Sequence, residues 1–169
     1  MDRKIVILIA LLSLIMAGCK ENKWADWKVQ NEFWLNQNAK EDGVKKTSTG
    51  LQYRIVSDPT PQDARPNTTS TIVCDYKVRL INGYQVDGGN YVSLALANCI
   101  PGFAEGCRLI HNNGDIQLFI PCYLGYDATK YIEKDAYNAE GYGTEGTQSY
   151  IPPYSTLIYE IHLCGVIGD

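Results

Sequence analysis

The most reactive side chains in this 169-residue sequence are six cysteines, two histidines and a scatter of carboxylates, and their spacing argues against most of the chemistry they could do. A cysteine nucleophile needs a base beside it. His162 sits in a stretch where Leu157, Tyr159, Ile161 and Leu163 alternate, so the period of two turns it away from the apolar face, and His111 falls in the turn His111-Asn112-Asn113-Gly114-Asp115. Two histidines are too few for a histidine-rich metal site. Asp127, Glu133, Asp135, Glu140 and Glu145 gather in one segment, but their spacing fits no EF-hand loop. The residue types and spacing therefore point to no nucleophile, metal or cofactor chemistry.

The elements themselves are legible. In "NCIPGFAEGCRLI", residues 98–110, Phe103, Cys107 and Ile110 share one face of a short helix. That helix carries two glycines, each costing about 1 kcal/mol in a helix interior. Gly102 and Gly106 lie one turn apart and allow close approach to a sheet, while Pro101 suits the first turn. "TIVCDYKVRL" puts Ile72, Cys74, Tyr76, Val78 and Leu80 on one face of a strand. A strand at 51–57 precedes it, and Asn82-Gly83 turns into Tyr84, Gln85 and Val86, after which Asp87-Gly88-Gly89-Asn90 breaks the pattern. Ile116, Leu118 and Ile120 alternate, as does the last strand. The fold class is α+β, a twisted antiparallel β-sheet wrapped around one short α-helix.

The N-terminus reads differently. Arg3 and Lys4 precede an apolar run at 5–16, shorter than the roughly 20 residues a membrane-spanning helix needs, followed by Ala17-Gly18-Cys19. This resembles the lipobox of bacterial lipoproteins, with Met16 where leucine is more usual; an ordinary secretory signal or a buried apolar segment is the alternative. The resemblance implies a signal peptide at 1–18, acylation of Cys19 and a lipid-anchored chain in a bacterial cell envelope, on its periplasmic or outer-membrane face. Residues 19–49 then form a lipidated tether, polar around Trp24 and Trp27, with a short helix over 32–41 stopped by Gly43. Residues 50–169 form the main domain. A net charge of −4 and a pI near 5.2 leave no basic stripe for nucleic acid. Beyond Cys19 the cysteines read mostly as small buried hydrophobes, and parity separates Cys74 from Cys164 unless a bulge intervenes.

The ordered segments "GLQYRIV", "VCDYKVRLINGYQVDGG", "CIPGFAEGCRLI", "GDIQLFIPCYLGYD" and "YIPPYSTLIYEIHL" together resemble the FKBP-type peptidyl-prolyl cis-trans isomerases over residues 50–166. The stretch "NEFWLNQNAKEDGVKKTSTGLQY" is similar to the lead-in of the family's extracytoplasmic bacterial members. The resemblance implies an FKBP-like fold and an isomerase, membrane-tethered and assisting the folding of exported proteins, that takes proline-containing polypeptides; the short N-terminal segment argues against the long helical dimerisation domain of some relatives and points to a monomer. It implies catalytic roles for Tyr76, Asp87, Ile100, Phe103, Tyr126 and Tyr159, and substrate contacts from Val86, Val92, Cys99, Tyr150 and Ile151. Phe103 stands where the family has tryptophan, Val86 and Val92 where it has aromatics, and Gly125-Tyr126-Asp127 where it has Ala-Tyr-Gly. The segment 127–149 is longer than the family's loop and contains Tyr131, Tyr137 and Tyr142. These departures support a second reading, a catalytically weak peptide- or protein-binding module on the same fold, acting as a chaperone or envelope interaction domain.

Overall fold

A computed structural model describes residues 23–59, 64–126, 142 and 149–167 of the chain. Its strands are β1 (Lys45–Lys46), β2 (Gln52–Ser57), β3 (Thr71–Arg79), β4 (Gln85–Ala95), β5 (Asp115–Ile120) and β6 (Leu157–Ile167). They form one antiparallel sheet in the order β1-β2-β5-β6-β3-β4, flanked by helices α1 (Ala25–Asn38) and α2 (Pro101–Cys107). The alternation read from the sequence is the packing rule: Leu157, Tyr159, Ile161 and Leu163 of β6 are buried while the residues between them are partly exposed. Ile72, Cys74 and Val78 of β3 and Ile116, Leu118 and Ile120 of β5 complete the same apolar face.

Helix α2 lies on that face. Phe103 and Cys107 are buried in the core, and Ile110 joins them from the turn just beyond the helix. The two glycines are what let the helix come this close. A Cβ on Gly102 would sit 2.5 Å from Cγ2 of Ile120, and one on Gly106 would overlap the Leu118 side chain. Pro101 occupies the helix's first turn, where no N–H partner is needed.

Two expectations are corrected. Strand β4 does not break at Asp87-Gly88-Gly89-Asn90 but runs through them, because the chain there forms a bulge. Tyr76 pairs with Gly89 and Cys74 with Val92, so Asn90 and Tyr91 together face Asp75. Tyr91 takes a φ of 51°, and its N–H donates to the Asp75 carboxylate at 2.6 Å. The second correction concerns the tether, where the helix spans Ala25–Asn38 instead of 32–41 and Trp27 belongs to it. Its inward residues include Asn31, 2% exposed, and Asn38, 7% exposed, so an apolar period could not reveal it. Asn38 donates to Gln52 at 2.9 Å, Gln52 donates to the Leu35 carbonyl at 3.0 Å, and Trp34 meets Phe119 at 5.8 Å. Helix α1 thereby covers the sheet face opposite α2, where Gln52, Phe119 and Ile158 form a row. Residues 1–18, Cys19 and the five carboxylates of 127–149 lie outside the described residues.

The close approach of α2 makes a direct prediction. Gly106→Ala should lower stability by about 1–3 kcal/mol through overpacking against Leu118, although alanine favours a helix over glycine by roughly 1 kcal/mol. Urea unfolding checks this; an unchanged or raised midpoint would mean that α2 does not press on β5.

Candidate active site

Three rings meet where α2 crosses the sheet. Tyr159 on β6 lies opposite Val78, and Tyr76 sits two residues before Val78 on β3, so the register brings both rings to one face. Phe103 rises between them from α2. Its ring lies edge-on to Tyr159 at 5.3 Å and to Tyr76 at 6.5 Å, while Tyr76 and Tyr159 stack at 6.2 Å. Such offset and edge-on arrangements suit the aromatic quadrupole. Phe103 is 3% and Tyr159 5% exposed, which makes them floor and back wall, while Tyr76 and Tyr126 are half-buried and Asp87 is exposed at the rim.

Polar groups edge this apolar surface. The Tyr76 hydroxyl donates to Asp87 at 3.0 Å, and the Asp87 carboxylate also accepts the Gly88 N–H at 2.8 Å. Tyr126 and Tyr159 share a side-chain hydrogen bond. Burial, reinforced by the Asp87 charge and its hydrogen bond, pushes Tyr76 up to about 12. Burial likewise raises Tyr159, with Tyr126 and Asp87 adding to it, and raises Tyr126, with Tyr142 and Asp87 adding. All three therefore stay neutral hydroxyl groups throughout the physiological range. Ile100 caps α2; its carbonyl accepts the N–H groups of Phe103 and Ala104, and its own N–H has no partner among the described residues.

The other residues implied by the sequence divide into two groups. Val86 is buried in the core beside this cluster, Val92 packs over Gly89 next to Tyr76, and half-buried Cys99 bonds the Ala95 carbonyl at 3.4 Å. Ile151 is buried and pairs as an isolated bridge with Tyr142, whose ring stacks on Tyr126 at 4.1 Å. Tyr150 is different, since its ring meets Trp24 of the N-terminal segment at 6.2 Å. Sequence reasoning attached no role to Trp27, Asn31 or Ser155, which border this region; a tryptophan in a polar segment was the available signal.

Reactive groups elsewhere are tied up or apart. Cys74, Cys99, Cys107 and Cys164 are free thiols. Burial pushes the Cys74 thiol up to about 12 and raises Cys107 well above its ordinary value, as expected of small core residues. A bulge does intervene between Val73 and Cys74, so that Leu163 pairs with Cys74 and Cys164 is skipped. His111 pairs with Asp58 at 3.0 Å and His162 with Asp115 at 2.9 Å. Among the described residues no three His, Cys, Asp or Glu side chains gather to hold a metal.

Fold and site together define a class. The chain belongs to the FKBP-type peptidyl-prolyl cis-trans isomerase family, whose profile matches residues 62–164. A profile for the domain amino-terminal to FKBP-type peptidyl-prolyl isomerase matches residues 10–55. The isomerase FkpA of Escherichia coli is 33% identical over 150 residues, which cover 86% of this chain and 48% of that protein. FkpA of Buchnera aphidicola from Acyrthosiphon pisum is 35% identical over 144 residues, 83% of this chain and 52% of that one. The chain thus spans about half the length of the curated relatives it matches. The crystal structure of Escherichia coli FkpA superposes with a TM-score of 0.69 at 30% identity, covering 98% of this chain and 73% of that one. A Pseudomonas syringae peptidyl-prolyl isomerase shares the fold at a TM-score of 0.71 and 20% identity, covering 89% of this chain and all of that one.

The raised tyrosines fix the sign of an alkaline effect. Because the folded state holds the Tyr76 proton up to about 12 against an ordinary 10.0, the associated stability is fully present below pH 10.0 and is lost as pH rises through about 12. Urea midpoints should fall over that window, and Tyr76→Phe should flatten the decline; an equal decline in the variant would contradict the assignment.

Proposed function

We propose that the chain is a peptidyl-prolyl cis-trans isomerase acting on proline-containing polypeptides. The observation that carries this reading is the wall formed by Phe103, Tyr159 and Tyr76, with an Ile100 N–H at the start of the same helix that has no partner among the described residues. Rotating an X-Pro bond means giving up amide resonance, behind a barrier of about 18–20 kcal/mol. Water bonded to the carbonyl favours the planar, charge-separated amide. An apolar wall that receives the proline ring removes this water, and a fixed donor set for the twisted carbonyl favours the transition state over the ground state. The Ile100 N–H is that donor, while Tyr126 and the Tyr76–Asp87 pair orient the flanking peptide. Tyrosines held neutral by burial serve as donors without adding charge. Each tenfold in rate requires about 1.4 kcal/mol, so a few such contacts suffice.

The proposal extends to location: a chain acylated at Cys19, tethered at a bacterial membrane outside the cytoplasm and assisting exported proteins to fold. The run at 5–16 and the Ala17-Gly18-Cys19 sequence support it. The second reading, a binding module with little catalysis, draws on Tyr142 stacked over Tyr126 and on valines at 86 and 92 in place of aromatic walls.

A protease-coupled assay on short Xaa-Pro peptides separates the two. Acceleration by the wild type that falls about tenfold in Phe103→Leu, equivalent to about 1.4 kcal/mol of lost transition-state stabilisation, and falls also in Tyr126→Phe supports the enzyme. A folded protein that accelerates nothing supports the module. For the anchor, Cys19→Ser should abolish incorporation of labelled palmitate in a bacterial host and release the protein from membranes, and retained label would contradict lipidation there.

A further inference from the structure

The mouth of the aromatic site is assembled from pieces far apart in the chain. Tyr142 and Ile151 exchange backbone hydrogen bonds of 2.8 and 2.9 Å, and the Tyr142 ring stacks on Tyr126. Ile151 is thus the point at which this lip joins the body of the protein. The residues that follow it, 152–156, belong to no strand or helix, and side-chain contacts hold them.

Those contacts come from one face of α1. The indole N–H of Trp27 donates to the Ser155 hydroxyl at 3.0 Å, which in turn donates to the Pro152 carbonyl at 2.6 Å. The Asn31 side chain accepts the Thr156 N–H at 2.7 Å and donates to the Trp27 carbonyl at 2.8 Å. Trp24 meets Tyr150, and the Lys28 ammonium lies 5.3 Å from the Tyr154 ring. Tyr154 is held at a φ of 64°, a conformation that persists in a non-glycine residue only where the surroundings impose it. Adhesion alone would be served by apolar side chains. A buried amide such as Asn31, 2% exposed, costs free energy unless bonded, and in return it fixes one backbone N–H at one place.

We propose that Trp27 and Asn31 are positioning residues for the isomerase site: through Ser155, Pro152 and Thr156 they set Ile151, and through Ile151 the lip of Tyr142 and Tyr126 that contacts the polypeptide. The N-terminal helix then governs how tightly the site holds its substrate. This rests on the reading of the aromatic cluster as the polypeptide site.

The test uses the full chain with Trp27→Phe, Ser155→Ala and their double variant, and with Trp34→Phe as a control on the same helix that faces Phe119 instead. One Xaa-Pro peptide is followed by steady-state kinetics and by calorimetric Kd. Trp27→Phe and Ser155→Ala should each raise KM and Kd about three- to tenfold, the effect of one lost hydrogen bond, with kcat within about twofold because the ring wall is untouched. The double variant should be no worse than either single one, since both break one relay. Trp34→Phe should lower Tm without moving KM. Wild-type KM and Kd in folded Ser155→Ala would overturn the proposal, as would a rise of KM and Kd in Trp34→Phe equal to that in Trp27→Phe. A wild type that binds the peptide without isomerising it overturns the catalytic reading alone, and the Kd comparison still decides this one.

Discussion

Everything at the site depends on how closely α2 can approach the sheet. Gly102 against Ile120 and Gly106 against Leu118 leave no room for a single methyl group, and this contact fixes the height of Phe103 above β3 and β6. One side chain further from the sheet, the Phe103 ring would lose Tyr76 and Tyr159 and the floor would open. The helix is weakened intrinsically by its glycines and is held by tertiary packing, the usual source of stability for so short a helix. Pro101 and the Ile100 cap belong to the same arrangement, in which the Ile100 carbonyl accepts the first helical N–H groups and its own N–H has no partner among the described residues.

From that geometry the electrostatics follow. Rings packed this tightly limit water, and burial raises the pKa of all three tyrosines, Tyr76 to about 12. Asp87 reinforces the shift from the rim, where it remains solvated. The result is a surface that is apolar where a proline ring would rest and hydrogen-bonding at its edges. Such a surface matches a reaction whose barrier comes from amide resonance and its solvation, in which no bond to the enzyme forms.

Much of this was legible in the sequence, and the exceptions have physical causes. Period-two alternation in β3, β5 and β6 exposed the sheet, and the glycine pair around Phe103 exposed the packing of α2. Strand β4 was misread because Gly88, Gly89 and the Tyr91 bulge remove the alternation on which such a reading relies. Helix α1 was misplaced because its two buried residues are asparagines, whose burial depends on partners at Thr156 and Gln52 far along the chain. The stacking of Tyr142 on Tyr126 was beyond sequence for the same reason: a contact between a long segment and a pocket lip has no local period. The ring cluster itself came from the family resemblance, since nothing in local spacing joins Tyr76 to Phe103.

The central claim is that a proline side chain enters the ring wall and turns over there. Exchange spectroscopy by NMR on an Xaa-Pro peptide, with the protein present at a small fraction of the peptide, tests this most directly. The account predicts exchange cross-peaks between the cis and trans prolyl signals that are absent without protein, together with shift changes at Tyr76, Phe103, Tyr126 and Tyr159. Shift changes at those residues without exchange, or exchange that persists in Phe103→Leu at the wild-type rate, would contradict it.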